Sequence, residues 1–324
     1  MAGIVSYGAY IPRMRLPLSV IAGKAPKDGG PEKAVAWMDE DSVTMAVAAA
    51  QNCLQGFDRS RVDAVLFATT TYAFAEKQGA AIIAKALNLK GDVRTADISH
   101  STRAGTIALQ SAIDAVKAGS AQRVLVIAAD CRMGAPGSGF ETNTGDAAAA
   151  FLIGAEGAIA ALDCACAHTT EIIDIWRKQG DRFAHSWEDR FVNVHGYIEN
   201  TVAAIKGLSA KSGVALSAIN KAVLYAPEAR SLGEMSKAAG IAKEQIQEPL
   251  FGKVGNAGAA FAPLLLIAAL EQAKAGEKIL VANYGDGAEA LLFTVNGARV
   301  KAEAYRSVND LLVRRKVVNA YGKY

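Results

Sequence analysis

Two distant stretches of this chain read as copies of one unit. Ala108 to Ala129 runs ALQSAIDAVKAGSAQRVLVIAA, and Leu266 to Asn283 runs LIAALEQAKAGEKILVAN. Each predicts an amphipathic helix stopped at Ala-Gly, a short basic turn, then an uninterrupted apolar strand. A strand without polar alternation is one buried on both faces, as inside an α/β layer. A second pair supports the first. Val62-Asp-Ala-Val-Leu-Phe-Ala68 leads to a helical run from Gly79 to Leu87, and Ile219-Asn-Lys-Ala-Val-Leu-Tyr225 leads to one from Leu232 to Gly240. The repetition predicts a duplicated α/β architecture with two halves packed on one another.

Four segments follow from that reading. Residues 1–168 form the N-terminal half and 214–300 the C-terminal half. Residues 169–213, with Trp176, Phe183, Trp187, Phe191 and Tyr197, interrupt the symmetry as a crossover or cap. Residues 301–324 form a basic tail. Gly154, Gly157, Gly285 and Gly287 punctuate the layers, and Gly23 to Gly30 reads as a surface loop.

Composition narrows the function classes. With 35 basic and 32 acidic residues, no whole-molecule field recruits nucleic acid. Cys53, Cys131, Cys164 and Cys166 contain no CxxC pair and read as buried thiols of a reducing compartment. His100, His168, His185 and His195 are too scattered for a zinc cage. The first residues lack a secretory pattern, and apolar runs are short or broken by charge, so the expectation is a cytoplasmic protein without membrane spans.

Ordered motifs then give a resemblance. Gly3-Ile-Val-Ser-Tyr-Gly-Ala-Tyr-Ile-Pro12 is an opening strand and turn, and Asp39-Glu-Asp-Ser-Val-Thr44 an acidic turn before a long helix. Gly134-Ala-Pro-Gly137 precedes Thr144-Gly-Asp-Ala-Ala-Ala-Ala-Phe-Leu-Ile-Gly154. Asp174-Ile-Trp-Arg177, Asp189-Arg-Phe191 and the ending Arg314 to Tyr324 complete the series. In this order the chain resembles the thiolase superfamily, especially short archaeal-type hydroxymethylglutaryl-CoA synthases and ketoacyl-synthase-III-like proteins. The resemblance implies a five-layer αβαβα thiolase-like fold and acyl transfer from CoA. That chemistry uses a cysteine nucleophile, an oxyanion site, a histidine and a glutamate.

Matching positions depart from that set. In Asp97-Ile-Ser-His-Ser-Thr-Arg-Ala-Gly-Thr106, Thr102 stands where the resemblance implies the cysteine, beside Ser101, with His100 as the nearby imidazole. A hydroxyl needs a base that a thiolate does not. In Val223-Leu-Tyr-Ala-Pro-Glu-Ala-Arg230, Ala226 stands at the implied histidine, and Glu228 reads as a helix-starting acid. In Phe67-Ala-Thr-Thr-Thr-Tyr72, Thr70 stands at the implied glutamate, with Glu76 six residues on. Asn256, in Gly255-Asn-Ala-Gly-Ala-Ala260, matches the family's Gly-Asn-Thr/Ser motif. It serves either as a hydrogen-bond donor to a ligand or as a tie at a tight turn.

Three functions remain open at this point. The first is a non-catalytic synthase-like subunit supporting an active thiolase-like partner. The second is a divergent acyl-CoA acyltransferase or β-ketoacyl-CoA thiolase using Ser101 or Thr102. The third is a CoA-binding regulatory homodimer. The resemblance implies coenzyme A or acyl-CoA as ligand, here or in the partner, and no covalent cofactor or metal. Implied partners are a second copy, a thiolase-like catalytic subunit and a small zinc-ribbon/oligonucleotide-fold subunit. In the tail, Arg306, Arg314, Arg315, Lys316 and Lys323, with Tyr305, Val313, Val317, Tyr321 and Tyr324, read as a docking segment or as a solvated end.

Overall fold

The computed structural model of the protein describes residues 2–178, 180–297 and 302–324. The N-terminal half holds β1 (Gly3–Tyr10), then β2 (Met14–Pro17), α1 (Leu18–Ile21), β3 (Glu32–Val35) and α2 (Ser42–Cys53). It continues through β4 (Ala64–Thr69), α3 (Gly79–Ala86), β5 (Arg94–Ser99), α4 (Ala104–Lys117) and β6 (Arg123–Cys131). Next come α5 (Gly139–Asn143) and β7 (Asp146–Gly154); β8 (Ala160–Thr169), counted with this half in the sequence, pairs along its length with the second half's sheet. The crossover carries a β9 (Ile175–Trp176) and β10 (His185–Ser186) hairpin, α6 (Asp189–Phe191) and α7 (Glu199–Ser212). The C-terminal half adds β11 (Lys221–Leu224), α8 (Ala229–Ala239), α9 (Phe261–Leu270), β12 (Lys278–Tyr284) and β13 (Gly287–Val295). The tail holds α10 (Val308–Val313) and β14 (Lys316–Val317).

The repeat appears as repeated pairing. Strands β5-β4-β6-β7-β1 join side by side, with β4 parallel to both β5 and β6 and with β7 antiparallel to β6 and β1. In the second half β11 is parallel to β12, and β13 is antiparallel to both β12 and β8. The halves meet where Gly3 and Ile4 of β1 face Ala161 and Ala160 of β8. The fifth strand of the second half is reduced to one parallel bridge, Ala222 to Ile246.

Helices cover these sheets in layers. The outer α2 packs on β1, β6 and β7, and α7 packs on β8, β12 and β13. Between the sheets lie α4 and α9, which touch each other. A helix in that middle layer has no face toward water. Accordingly every residue of α9, Phe-Ala-Pro-Leu-Leu-Leu-Ile-Ala-Ala-Leu, is buried. This corrects the amphipathic reading of Leu266 onward, and α9 also ends at Leu270, before Ala275-Gly276. The charged residues from Glu271 onward lie in a turn because they cannot enter the dry layer. By contrast α4 does stop just before Ala118-Gly119. The alanine run of β7, buried throughout, lets helices approach both of its faces closely.

Local signals explain the starts. Asp41 Oδ1 accepts from Thr44 N at 2.7 Å while Asp41 N donates to Thr44 Oγ1, also at 2.7 Å, forming a capping box on α2. The tail folds onto its own chain. Strand β14 runs parallel to β2, Arg315 Nη1 bonds Glu32 Oε2 at 2.7 Å, and Tyr305 OH donates to Glu271 Oε1 at 2.6 Å. Tyr321 OH donates to Glu141, and Lys33 Nζ reaches Tyr324 OH at 3.3 Å. Several anchors read as partner-facing therefore serve this chain, while Val313 stays 72% exposed. The boundary placed between 300 and 301 lies outside the described residues. Among the described residues no helix is long and apolar enough to cross a membrane.

Candidate functional site

Within each half the parallel strands (β4, β5 and β6; β11 and β12) send their carboxyl-end loops one way. Cross-half bonds such as Thr102 Oγ1 to the Tyr284 carbonyl bring the two sets of loops together, at strand ends where α/β proteins form sites. Those ends supply Thr70, Ser101 and Thr102, Asp130, Ala226, and the hairpin between Tyr284 and Gly287. Asn256 joins them from the turn before α9.

Thr102 lies just ahead of α4. Its hydroxyl donates to the Tyr284 carbonyl at 2.6 Å. Ser101 Oγ accepts from Arg103 N at 3.3 Å. Gly285 seals the arrangement: a Cβ there would come within 2.5 Å of Ser101 Oγ and 2.7 Å of Thr102 Oγ1. Arg103 holds the hairpin down, donating to the carbonyls of Ala288 at 3.1 Å and Asp286 at 3.2 Å. His100 stands exposed, and its Nδ1 pairs with Ser99 Oγ at 2.7 Å. The neighbouring imidazole thus serves Ser99, and no base takes a proton from Ser101 or Thr102 among the described residues.

Asp130 is the organising group that the sequence reading missed. Fully buried at the end of β6, its carboxylate accepts from Thr69 Oγ1 at 2.9 Å, Thr70 N at 2.7 Å and Thr71 Oγ1 at 2.9 Å. Thr70 Oγ1 adds a bond at 2.8 Å and Ala259 N another at 2.7 Å. Thr70 therefore works as a donor to a carboxylate, the inverse of the implied glutamate's role. Its signal in the sequence was an acid closing the apolar run Val124 to Ala129. Glu76 stays exposed and does not return to the site.

Ala226 contributes its backbone, accepting from Asn256 Nδ2 at 2.8 Å. Asn256 Oδ1 accepts from Gly258 N at 2.8 Å, so this buried amide ties a turn. The preceding Tyr225 supplies the bulk, with its ring packed among Tyr197, Tyr284 and Phe261. Tyr197 OH donates to the Tyr225 carbonyl at 2.6 Å, and Tyr284 OH to the Asp174 carboxylate. Burial pushes the Tyr197 and Tyr284 phenols up, the latter further beside Asp174, so neither ionises near neutrality. Tyr197 arrives on a π-helical stretch, Val192–Ile198, that begins the cap's long helix. Glu228 starts α8 and accepts from Ser231 Oγ at 3.4 Å, consistent with a helix-starting acid.

A neighbouring thiol does not replace the missing nucleophile. Burial, with Asp146 and Asp130 adding to it, pushes the Cys131 thiol far above the ordinary range. Among the described residues all four cysteines are free, and no group of three or more His, Cys, Asp or Glu side chains is placed to hold a metal.

Relatives decide the ancestry. The chain is 32% identical over 327 residues to the hydroxymethylglutaryl-CoA synthase of Pyrococcus furiosus, covering 98% of this chain and 93% of that protein. It is 33% identical over 306 residues to the enzyme of Methanocaldococcus jannaschii, covering 91% and 88%. The chain belongs to the hydroxymethylglutaryl-CoA synthase family. No protein-family model matches it. The fold is that of this family and of synthase III. A structure of MvaS in complex with 3-hydroxy-3-methylglutaryl coenzyme A superposes with a TM-score of 0.86 at 21% identity, covering 99% of this chain and 90% of that one. The 3-oxoacyl-[acyl-carrier-protein] synthase III of Aquifex aeolicus gives 0.82 at 20% identity, covering 91% and 100%. The thiolase-like expectation for the fold is met. In this chain the Thr70 and Thr102 hydroxyls and the Ala226 carbonyl are integrated into a hydrogen-bonded scaffold.

Proposed function

We propose that this chain is a non-catalytic hydroxymethylglutaryl-CoA-synthase-like subunit of an acyl-CoA acyltransferase or thiolase assembly. The observation that carries the reading is the commitment of the Thr102 hydroxyl to the Tyr284 carbonyl under Gly285, with no base beside it. A nucleophile whose proton is donated elsewhere, near an imidazole that pairs with Ser99, gains none of the usual activation. The saturated Asp130 carboxylate supports the same reading, since a group accepting five bonds is poorly placed to shuttle a proton.

In this proposal the working role is assembly. Among the described residues strand β5 is an open edge of its sheet, pairing with β4 and no other strand. Such an edge suits antiparallel pairing with a second copy or with a thiolase-like catalytic subunit. A small zinc-ribbon/oligonucleotide-fold subunit completes the proposed set. Coenzyme A or acyl-CoA is the proposed ligand of the assembly, on the strength of the CoA-bound relatives.

Intact-mass measurement after incubation with acetyl-CoA and acetoacetyl-CoA tests the silent site. The expected result is no acyl adduct. An adduct that forms at a competent rate and disappears in T102V or S101A would overturn the proposal in favour of a divergent acyltransferase. Native mass measurement of the complex recovered from its own cells tests assembly. A self-contained homodimer that binds CoA would favour the regulatory reading instead.

A further inference from the structure

One charge at the site is unanswered. Arg132 lies just beyond β6, two residues after Asp130, and is 9% exposed. Among the described residues, neither a hydrogen bond nor an ion pair engages its guanidinium. Its stem crosses Gly258, where a Cβ would come within 2.7 Å of Arg132 Cδ and 2.2 Å of Asp130 Oδ2. Its guanidinium carbon stands 5.9 Å from the centroid of the Phe140 ring on α5.

Nearby acids are otherwise occupied. Asp130 accepts from Thr69, Thr70, Thr71 and Ala259, as described above. Glu141 takes Gly137 N at 2.7 Å and the Tyr321 hydroxyl. Asp146 takes Ala36 N at 2.7 Å and shares the electrostatic neighbourhood of Lys33. The Arg132 stem is packed away while its guanidinium nitrogens, bonded to no protein acceptor among the described residues, reach solvent, which leaves their donors for a ligand.

We propose that Arg132 is the receptor for a small carboxylate ligand, free or carried on an acyl group. The Phe140 ring takes a face of the guanidinium. The donors along its edge remain for an acceptor lying in plane, and a carboxylate offers two such oxygens at matching spacing. Asp130 close by selects charge as well. Repulsion from the Asp130 carboxylate acts on any anion here, and about twice as strongly on a phosphate dianion as on a carboxylate. This inference goes beyond the assembly role and does not depend on it, since ligand binding here requires no turnover.

Thermal unfolding of the full chain in sodium acetate, sodium phosphate or sodium chloride at equal ionic strength tests the proposal. Acetate is expected to raise the midpoint saturably, beyond chloride and beyond phosphate. Arg132→Met is expected to weaken the apparent acetate affinity about tenfold or more, and Arg132→Lys, which keeps charge without the fork, to fall between. In chloride alone Arg132→Met is expected to unfold at a midpoint similar to the parent's, because no protein hydrogen bond or ion pair among the described residues is lost. An acetate effect equal to that of chloride, one that persists in Arg132→Met, or a larger phosphate effect overturns the inference. So does a marked loss of stability of Arg132→Met in chloride. The parent chain's response to the three salts decides the matter even where that variant does not fold.

Discussion

Replacing Asp130 with alanine is expected to destabilise the chain severely, and the size follows from its donors. Two are backbone amides, Thr70 N and Ala259 N, each 2.7 Å from a carboxylate oxygen. Hydroxyls rotate toward other acceptors, but backbone amides fixed between β4 and α9 do not. Leaving a buried donor unpaired costs about 1–3 kcal/mol, so the two amides together account for about 2–6 kcal/mol before any cavity term. Asp130→Asn is the graded control. One oxygen remains an acceptor, and the amide nitrogen replaces the other, opposed either to Ala259 N or, flipped, to Thr70 N. The expected loss is that of one unmet amide, about 1–3 kcal/mol. Urea unfolding followed by circular dichroism measures both, with the midpoint read at constant slope. A loss of less than about 1 kcal/mol in Asp130→Ala would refute the view that this carboxylate organises the strand ends.

Two further outcomes test the charged layer under the tail. Burial raises the Asp146 carboxyl to about 6, above the ordinary value of 3.8. A carboxyl raised on folding favours the folded state below its unfolded pKa and loses that contribution as pH climbs through the folded value. Stability relative to Asp146→Asn should therefore decline between about pH 4 and pH 6, by up to about 3 kcal/mol. Chemical denaturation across that range checks the sign; a gain with rising pH would contradict it. Separately, Glu32 lies between buried Arg15, at 3.7 Å, and half-exposed Arg315, at 2.7 Å. Glu32→Gln strands Arg15 and should cost about 3 kcal/mol or more, whereas Arg315→Ala should cost under about 1 kcal/mol. Comparable midpoints for the two variants would show that the buried partner carries no special weight.

Most of the architecture was legible because burial on both faces leaves a mark. Val124 to Ala129 and Ile279 to Ala282 have no polar alternation, and each lies inside its sheet. Thr70, Thr102 and Ala226 were legible as departures from an expected chemical set. What each one bonds was not, because the partners come from remote segments. Thr102 meets Tyr284 and Thr70 meets Asp130 only after the halves and strands assemble. The end of α9 was misplaced because Glu271 to Ala275 has helical composition, and sequence alone does not reveal a dry layer ending there. The tail's aromatic and basic residues suggested a surface partner, yet Arg315 and Tyr321 find carboxylates on their own chain. Composition names the chemistry of a contact before it names the owner.

The unequal completion of the two halves has a consequence for growth. The outer edge of β11 is met by the Ile246 bridge and by Gln247 N donating to the Ala222 carbonyl at 2.9 Å. The outer edge of β5 carries no strand among the described residues. A sheet with one open side and one stopped side can be lengthened once, by a chain offering its own open side, and is then finished. In the proposed assembly, edge pairing through β5 is therefore self-terminating, ending at a closed pair and not a fibre.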